Sequence, residues 1–270
     1  MNLFYRETGE GLPLVILHGL YGSSDNWMSI ARMLAHRYRV ISVDLRNHGQ
    51  SPHDPVHTYQ AMVTDLAWLF HELELEKVHL VGHSMGGKLA MAFAADYPEK
   101  IRSLAVADIA PKNYLLTPAS DIQIDLHNRI LEALSRMDLS VFSSRKEIER
   151  ELEQPIPERM IRMFILKNLK KSGKDLVWKV NAPVLLKSLP HILGSVNVDE
   201  YRDRIPITVY PVLFVRGTLS GYIKPGDESL IREMYPDARI VSMENASHFL
   251  HAEQPEQFAA LLKEFLNKVC

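Results

Sequence analysis

A serine held between two glycines, in Gly82-His83-Ser84-Met85-Gly86, is the stretch of this sequence that most directly promises covalent chemistry. It follows the apolar run VHLV at 78–81 and precedes an alanine-rich helical pattern, so Ser84 falls at a strand-to-helix turn. A turn that tight drives the serine backbone to positive φ and aims its hydroxyl outward. Glycine at 82 and 86 lets strand and helix approach where a side chain would clash. Such a hydroxyl becomes a nucleophile when a base, an acid and an oxyanion site converge on it.

Each partner has a candidate. The base is expected to be His248, in the loop of ENASHFLHAEQP (244–255) between the last strand pattern and the final helix. His251 lies near the onset of that helix and reads as a surface or packing residue, the rival to His248, and His83 reads first as a packed neighbour of the serine and second as a residue facing the pocket. The acid is less direct, because the segment after the strand run at 212–215 has no carboxylate before Asp227. Asp227 follows Pro225-Gly226, precedes a helical pattern and reads as a helix cap. Asp108, at the end of SLAVAD, lies at the carboxyl edge of the strand after the serine's helix and keeps the order serine, acid, histidine, so it is the expected acid. An oxyanion hole needs two backbone N–H groups; the amides of Met85 and Leu20 are the candidates, with Gly19 letting the chain come close after LVILHG.

These residues need a frame. Short apolar, β-branched runs at 14–17, 39–43, 78–81, 103–107, 212–215 and 239–243 predict buried parallel strands. Helical patterns separate several of them. In 58–73, Met62, Leu66, Leu69, Phe70 and Leu73 share a face behind a Thr58 cap; in the last helix, Pro255 suits the first turn and Phe258, Leu261, Leu262 and Phe265 recur at helical spacing. Strand-helix alternation of this kind predicts an α/β fold, a mostly parallel sheet with helices on both faces. The alternation stops from about 112 to 205, where helical patterns around 119–137, 144–153 and 157–170 and little strand signal predict an inserted helical lid. The expected division is therefore a core of 1–111 and 206–270 with a lid of 112–205, set over the sheet edge where open α/β folds keep their ligand sites.

Composition removes other classes. With 31 Lys and Arg against 33 Asp and Glu among 270 residues, the chain has no overall field for gripping nucleic acid or an anionic membrane. The single cysteine, Cys270, forms no internal disulfide and reads as an incidental terminal thiol suited to a reducing compartment. The apolar run 12–17 is too short for a signal core or a membrane span, so a cytoplasmic location is expected.

The segments LHGLYGSSDNW, VDLRNHGQSP, GHSMGGK, ADIAP and ASHFLHAEQPE, in this order, resemble the α/β-hydrolase superfamily and, within it, the small YbfF-type esterases. The resemblance spans essentially the whole chain and is weakest in the insertion. It implies a Ser84, Asp108, His248 esterase acting through an acyl-enzyme on short to medium carboxylic esters or acyl-CoA thioesters, without metal or organic cofactor. Small-molecule substrates are the implied partners. The run RNHGQSP reads as structural, with Asp44, Arg46 and His48 bracing the oxyanion loop. Seven basic residues between 155 and 180 (Arg159, Arg162, Lys167, Lys170, Lys171, Lys174, Lys179) against two acidic ones read first as a solvated face and second as a rim for coenzyme A phosphates. A serine in the elbow argues against aspartate-nucleophile dehalogenases and epoxide hydrolases. A C–C bond hydrolase, a cofactor-free lyase or a non-catalytic small-molecule sensor would share the same residues.

Overall fold

The structure is a computed structural model that describes residues 1–116 and 120–269. Cys270 and residues 117–119, where the first expected helix of the insertion begins, lie outside them.

The expected strands form, most of them longer by one or two residues than their apolar runs. In chain order they are β1 (Tyr5–Thr8), β2 (Leu12–Leu17), β3 (Tyr38–Val43), β4 (Val78–His83), β5 (Ile101–Ala107), β6 (Leu169–Ser172), β7 (Asp175–Trp178), β8 (Val212–Gly217) and β9 (Arg239–Met243). The main sheet has seven strands in the order β1-β3-β2-β4-β5-β8-β9 and is parallel except for β1, which runs antiparallel on the edge beside β3. The edge strand YRET has no apolar run, since one side of it has no neighbour to bury against, and sequence patterning passes over it.

Helices α1 (Met28–Leu34), α2 (Tyr59–Glu72), α3 (Met85–Asp96), α4 (Ser120–Arg136), α5 (Arg145–Glu151), α6 (Arg159–Leu166), α7 (Ala182–Gly194), α8 (Glu228–Met234), α9 (Leu250–Glu253) and α10 (Pro255–Asn267) complete the chain. The Thr58 hydroxyl caps α2 by accepting the Ala61 amide at 3.2 Å, as its place before the periodic run predicts. Alternate strand residues feed two cores. Leu14, Ile16, Val81, Leu213 and Val215 pack with residues of α1 and α10, while Val15, Leu17, Leu80, Val106 and Phe214 pack with residues of α2, α3 and α8. The sheet is thus covered on both faces.

The insertion between β5 and β8 carries α4 to α7 and is helical as expected, with one difference. Leu169–Ser172 and Asp175–Trp178 form an antiparallel hairpin, β6-β7, where a continuing helical pattern was expected to run to 170. The turn contains Gly173 at φ 64°, a left-handed conformation that ends any helix and suits a tight reversal.

A buried ion pair fastens the segment after β3 to α2. Arg46 donates from Nε and Nη2 to the two oxygens of Asp65, at 2.6 and 2.9 Å, and from Nη1 to the Val56 carbonyl at 2.8 Å. Removing Arg46 leaves the buried Asp65 carboxylate with the Met1 ammonium, 2.7 Å from Oδ1, and without its bidentate partner, so Arg46→Met is expected to cost about 3 kcal/mol of stability, read from urea denaturation. A cost under about 1 kcal/mol would place the pair among solvent-screened surface bridges.

Candidate active site

Ser84 follows β4 and opens α3 with φ 53° and ψ −120°, the positive-φ elbow its glycine neighbours predict. Its amide donates to the Ala107 carbonyl and its own carbonyl accepts from Lys88 N, each at 3.0 Å, so the strained residue is held from both sides. The glycines are required by space. A Cβ at Gly82 would lie 2.2 Å from the Gly86 carbonyl oxygen, and one at Gly86 would lie 2.4 Å from the His18 oxygen. At Gly19 it would meet His83 Nδ1 at 2.7 Å and Ser84 Cβ at 3.1 Å.

Three sequence-distant side chains meet in one line. His248 Nδ1 donates to Asp108 Oδ2 at 2.8 Å, which leaves Nε2 to accept the Ser84 hydroxyl at 3.0 Å. Asp108 is fully buried at the end of β5 and, like Ser84, has a positive φ, 51°. Its carboxylate is satisfied from the neighbouring strand: Oδ1 accepts the Gly217 amide at 3.0 Å, and Oδ2 accepts the Ser220 hydroxyl. His83 lines the cavity, and its Nε2 donates to the His248 carbonyl at 2.8 Å, so it both borders the pocket and anchors the histidine loop. His251 is elsewhere, stacked on Trp27 with ring centroids 4.3 Å apart. Asp227 serves at a helix start as expected, its carboxylate accepting Lys224 N at the head of the 3-10 turn 225–227 that leads into α8, and it also accepts Lys112 Nζ.

The loop after β2 approaches from the other side. Among the described residues, neither the Leu20 nor the Met85 amide is engaged by another backbone or side-chain acceptor, and both residues border a small chamber of about 20 Å³ beside Ser84. The loop is braced as the RNHGQSP reading predicts. Asp44 accepts Ser24 N at 2.6 Å and Gln50 N at 2.8 Å, and His48 Nε2 accepts Tyr21 N at 3.3 Å. Arg46 is the exception, serving α2 instead.

Ser84 opens onto a cavity of about 660 Å³ whose walls are mostly apolar, with Leu126 and Ile130 of α4, Ile161 and Phe164 of α6, and Phe249. Its acidic lining residues are Glu158 and Glu253, and none of the seven basic residues of 155–180 lines it. A hollow of about 680 Å³ between α4 and α5, with Arg129, Arg136 and Arg150 in its wall, contains none of the candidate residues, whereas Ser84 and His248 line the apolar cavity. Sequence reading missed Ser220, which touches Asp108, and Tyr222, whose ring stacks on His248 at 3.8 Å.

Burial sets the charge state of the surrounding histidines. Desolvation pushes His18 down to about 4 and His48 to about 3, leaving each ring neutral near pH 7. Their unfolded counterparts protonate near the ordinary value of 6.5, so between pH 6.5 and about 4 the unfolded chain binds more protons and stability falls as pH falls. Urea midpoints measured at pH 7 and pH 5 are expected to drop accordingly. A flat or rising profile toward acid would overturn these assignments.

Comparison with known proteins places this geometry. The α/β hydrolase fold family matches residues 13–255. The chain is 37% identical to the sn-1-specific diacylglycerol lipase ABHD11 of Danio rerio, over 96% of this chain and 79% of that one. It is 34% identical to esterase YbfF of Escherichia coli, over 94% of this chain and 93% of that one. A solved marine microorganism esterase superposes with a TM-score of 0.90 at 41% identity, covering 97% of this chain and 98% of that one. By sequence and fold together the chain belongs to the α/β-hydrolase family, and these relatives, matched over 79% to 98% of their own length, are named esterases and lipases.

Proposed function

We propose that the protein is a serine hydrolase of carboxylic esters with short to medium acyl chains, with Ser84, His248 and Asp108 as its triad and residues 112–205 as its lid. The observation that carries the reading is the unbroken hydrogen-bonded line from Asp108 through His248 to a Ser84 hydroxyl at the floor of an apolar cavity. The names of two similar proteins, esterase YbfF and the marine microorganism esterase, support the same class of substrate.

The chemistry follows from the positions. His248 Nε2 takes the Ser84 proton as Oγ attacks the acyl carbon, and Asp108 orients the imidazole and stabilises its cation. The Leu20 and Met85 amides receive the developing oxyanion. The imidazolium then protonates the departing alkoxide as its bond to the acyl carbon breaks, leaving an acyl-enzyme. Water loses a proton to the same imidazole, attacks the acyl carbon and releases the carboxylic acid, and Ser84 recovers its proton. Every proton is carried by these side chains, so the scheme calls for neither metal nor organic cofactor.

A thioester would follow the same route. The cavity's charges, Glu158 and Glu253, would repel coenzyme A phosphates, so oxygen esters are the favoured substrates. Its apolar walls bind the acyl or alcohol chain by burial.

A graded panel of p-nitrophenyl esters and acyl-CoA thioesters tests the proposal. Ser84→Ala is expected to lower kcat by about four orders of magnitude or more, and Asp108→Asn by about 10⁴-fold through the wrong histidine tautomer. Turnover that survives in Ser84→Ala would overturn the reading.

A further inference from the structure

The insertion reaches into the candidate site at two polar points. Tyr21 is the residue immediately after Leu20, and it is held at three places. Its amide donates to His48 at 3.3 Å, its carbonyl accepts from Asn168 Nδ2 at 2.8 Å, and its hydroxyl lies 3.1 Å from His127 Nδ1. Asn168 and His127 both belong to the insertion, the first in the turn between α6 and β6 and the second on α4. Tyr21 has φ 64°, a left-handed conformation that a non-glycine residue keeps only where its surroundings fix it.

His127 also faces the other side of the site. Its Nε2 is 2.9 Å from the Tyr222 hydroxyl, and the Tyr222 ring lies almost flat on the His248 imidazole, with centroids 3.8 Å apart and planes 18° from parallel. Tyr222 is fixed in turn through its carbonyl, which accepts the Tyr114 hydroxyl at 2.8 Å. A neutral imidazole has one donor and one acceptor nitrogen, so one tyrosine hydroxyl gives a proton to the ring and the other accepts one. Burial pushes His127 down to about 4 and keeps it in that form near neutral pH.

We infer that His127 is a positioning residue: through Tyr21, whose carbonyl Asn168 also holds, and through Tyr222 it sets the Leu20 amide and the His248 ring, so that docking of the insertion assembles the reacting geometry as well as covering it. The inference rests on the proposed ester hydrolysis with Leu20 as an oxyanion donor. An oxyanion donor acts only where negative charge develops, so moving it by a fraction of an ångström weakens transition-state binding and leaves substrate binding nearly intact. The signature is therefore a loss in kcat with KM preserved.

The experiment compares wild type, Tyr21→Phe, His127→Phe, the double variant and His127→Gln on a soluble p-nitrophenyl ester. Affinity for a trifluoromethyl ketone, whose adduct with Ser84 carries an oxyanion, is measured beside it. Each phenylalanine variant is expected to lower kcat by about tenfold to a hundredfold with KM within about twofold, and to weaken ketone binding by the same factor. The double variant should be no worse than the worse single, because one contact is being removed twice. His127→Gln, which keeps an amide donor and acceptor, should recover most of the loss. Tyr21→Phe removes a single oxygen and so keeps the test usable even if the His127 variants fold poorly. A changed KM or chain-length preference with kcat and ketone affinity intact would mean that the insertion only covers the cavity, and would overturn the inference, as would additive losses in the double variant. Turnover unaffected by Ser84→Ala would instead remove the ester reading itself, so the two failures are distinguishable.

Discussion

The contact on which the site depends is the approach of the first turn of α3 to the ends of β2 and β4. Backbone there meets backbone, since a methyl group at Gly82 or Gly86 would stand 2.2 or 2.4 Å from a carbonyl oxygen. That closeness leaves Ser84 no room for an ordinary extended or helical conformation, and it takes φ 53° instead, at a cost of about 1–3 kcal/mol that the packed core around it must offset. The same approach sets the start of α3 against the chain leaving β2. Met85, at the head of a helix, and Leu20, three residues past a strand end, are thereby brought to the same small chamber beside Ser84. One steric constraint thus sets both the Ser84 hydroxyl that faces the cavity and the two chain segments that border it.

The position of the carboxylate follows from a second close approach. Asp108 extends from β5, and the next strand over, β8, ends at Gly217. A Cβ there would lie 2.4 Å from the Ala246 oxygen and 2.6 Å from the Ser247 oxygen, because the loop carrying His248 crosses directly over it. The end of β8 accordingly contributes what fits in so little space: the Gly217 N–H and, three residues on, the Ser220 hydroxyl, both directed at Asp108. A buried carboxylate needs such donors, since leaving one without them costs several kcal/mol. The acid and the hydrogen bonds that support it have been divided between two adjacent strands.

This division explains what could and could not be read from the amino-acid sequence. Ser84 and the turn around it are a local pattern, with an apolar run, two glycines and a helical repeat within eighteen residues, and local patterns survive in sequence. The parallel strands were legible for the same reason, being continuous apolar runs, whereas β1 and the hairpin β6-β7 were not, because half-exposed, largely polar strands have no such run. Asp108 needed an argument from chain order. Ser220, Tyr222, Asn168 and His127 were beyond reach: each sits in a loop or helix with no distinguishing neighbours and acquires its contact across about 95 residues or more. The contact of His83 with the His248 carbonyl spans 165 positions and was equally invisible.

The histidines around Ser84 have two kinds of surroundings. His18 donates from Nδ1 to the Gly19 carbonyl and accepts Leu45 N at Nε2; His48 donates to the Arg46 carbonyl and accepts Tyr21 N. Each ring thus joins one carbonyl to one amide, a match that only the neutral form can make, and burial lowers both rings to about 4 and about 3. A protonated ring would turn a second N–H toward an amide donor and break the brace. His248 is built differently. It is less deeply buried, with 18% of its side chain exposed, it borders the cavity, and it faces a carboxylate at Nδ1 and a hydroxyl at Nε2. A proton arriving at Nε2 there leaves Nδ1 donating to an acceptor, so the ring can change charge without losing its orientation. The braces around Ser84 are therefore imidazoles that must not take a proton, and the one imidazole in contact with its hydroxyl is the one whose partners tolerate it.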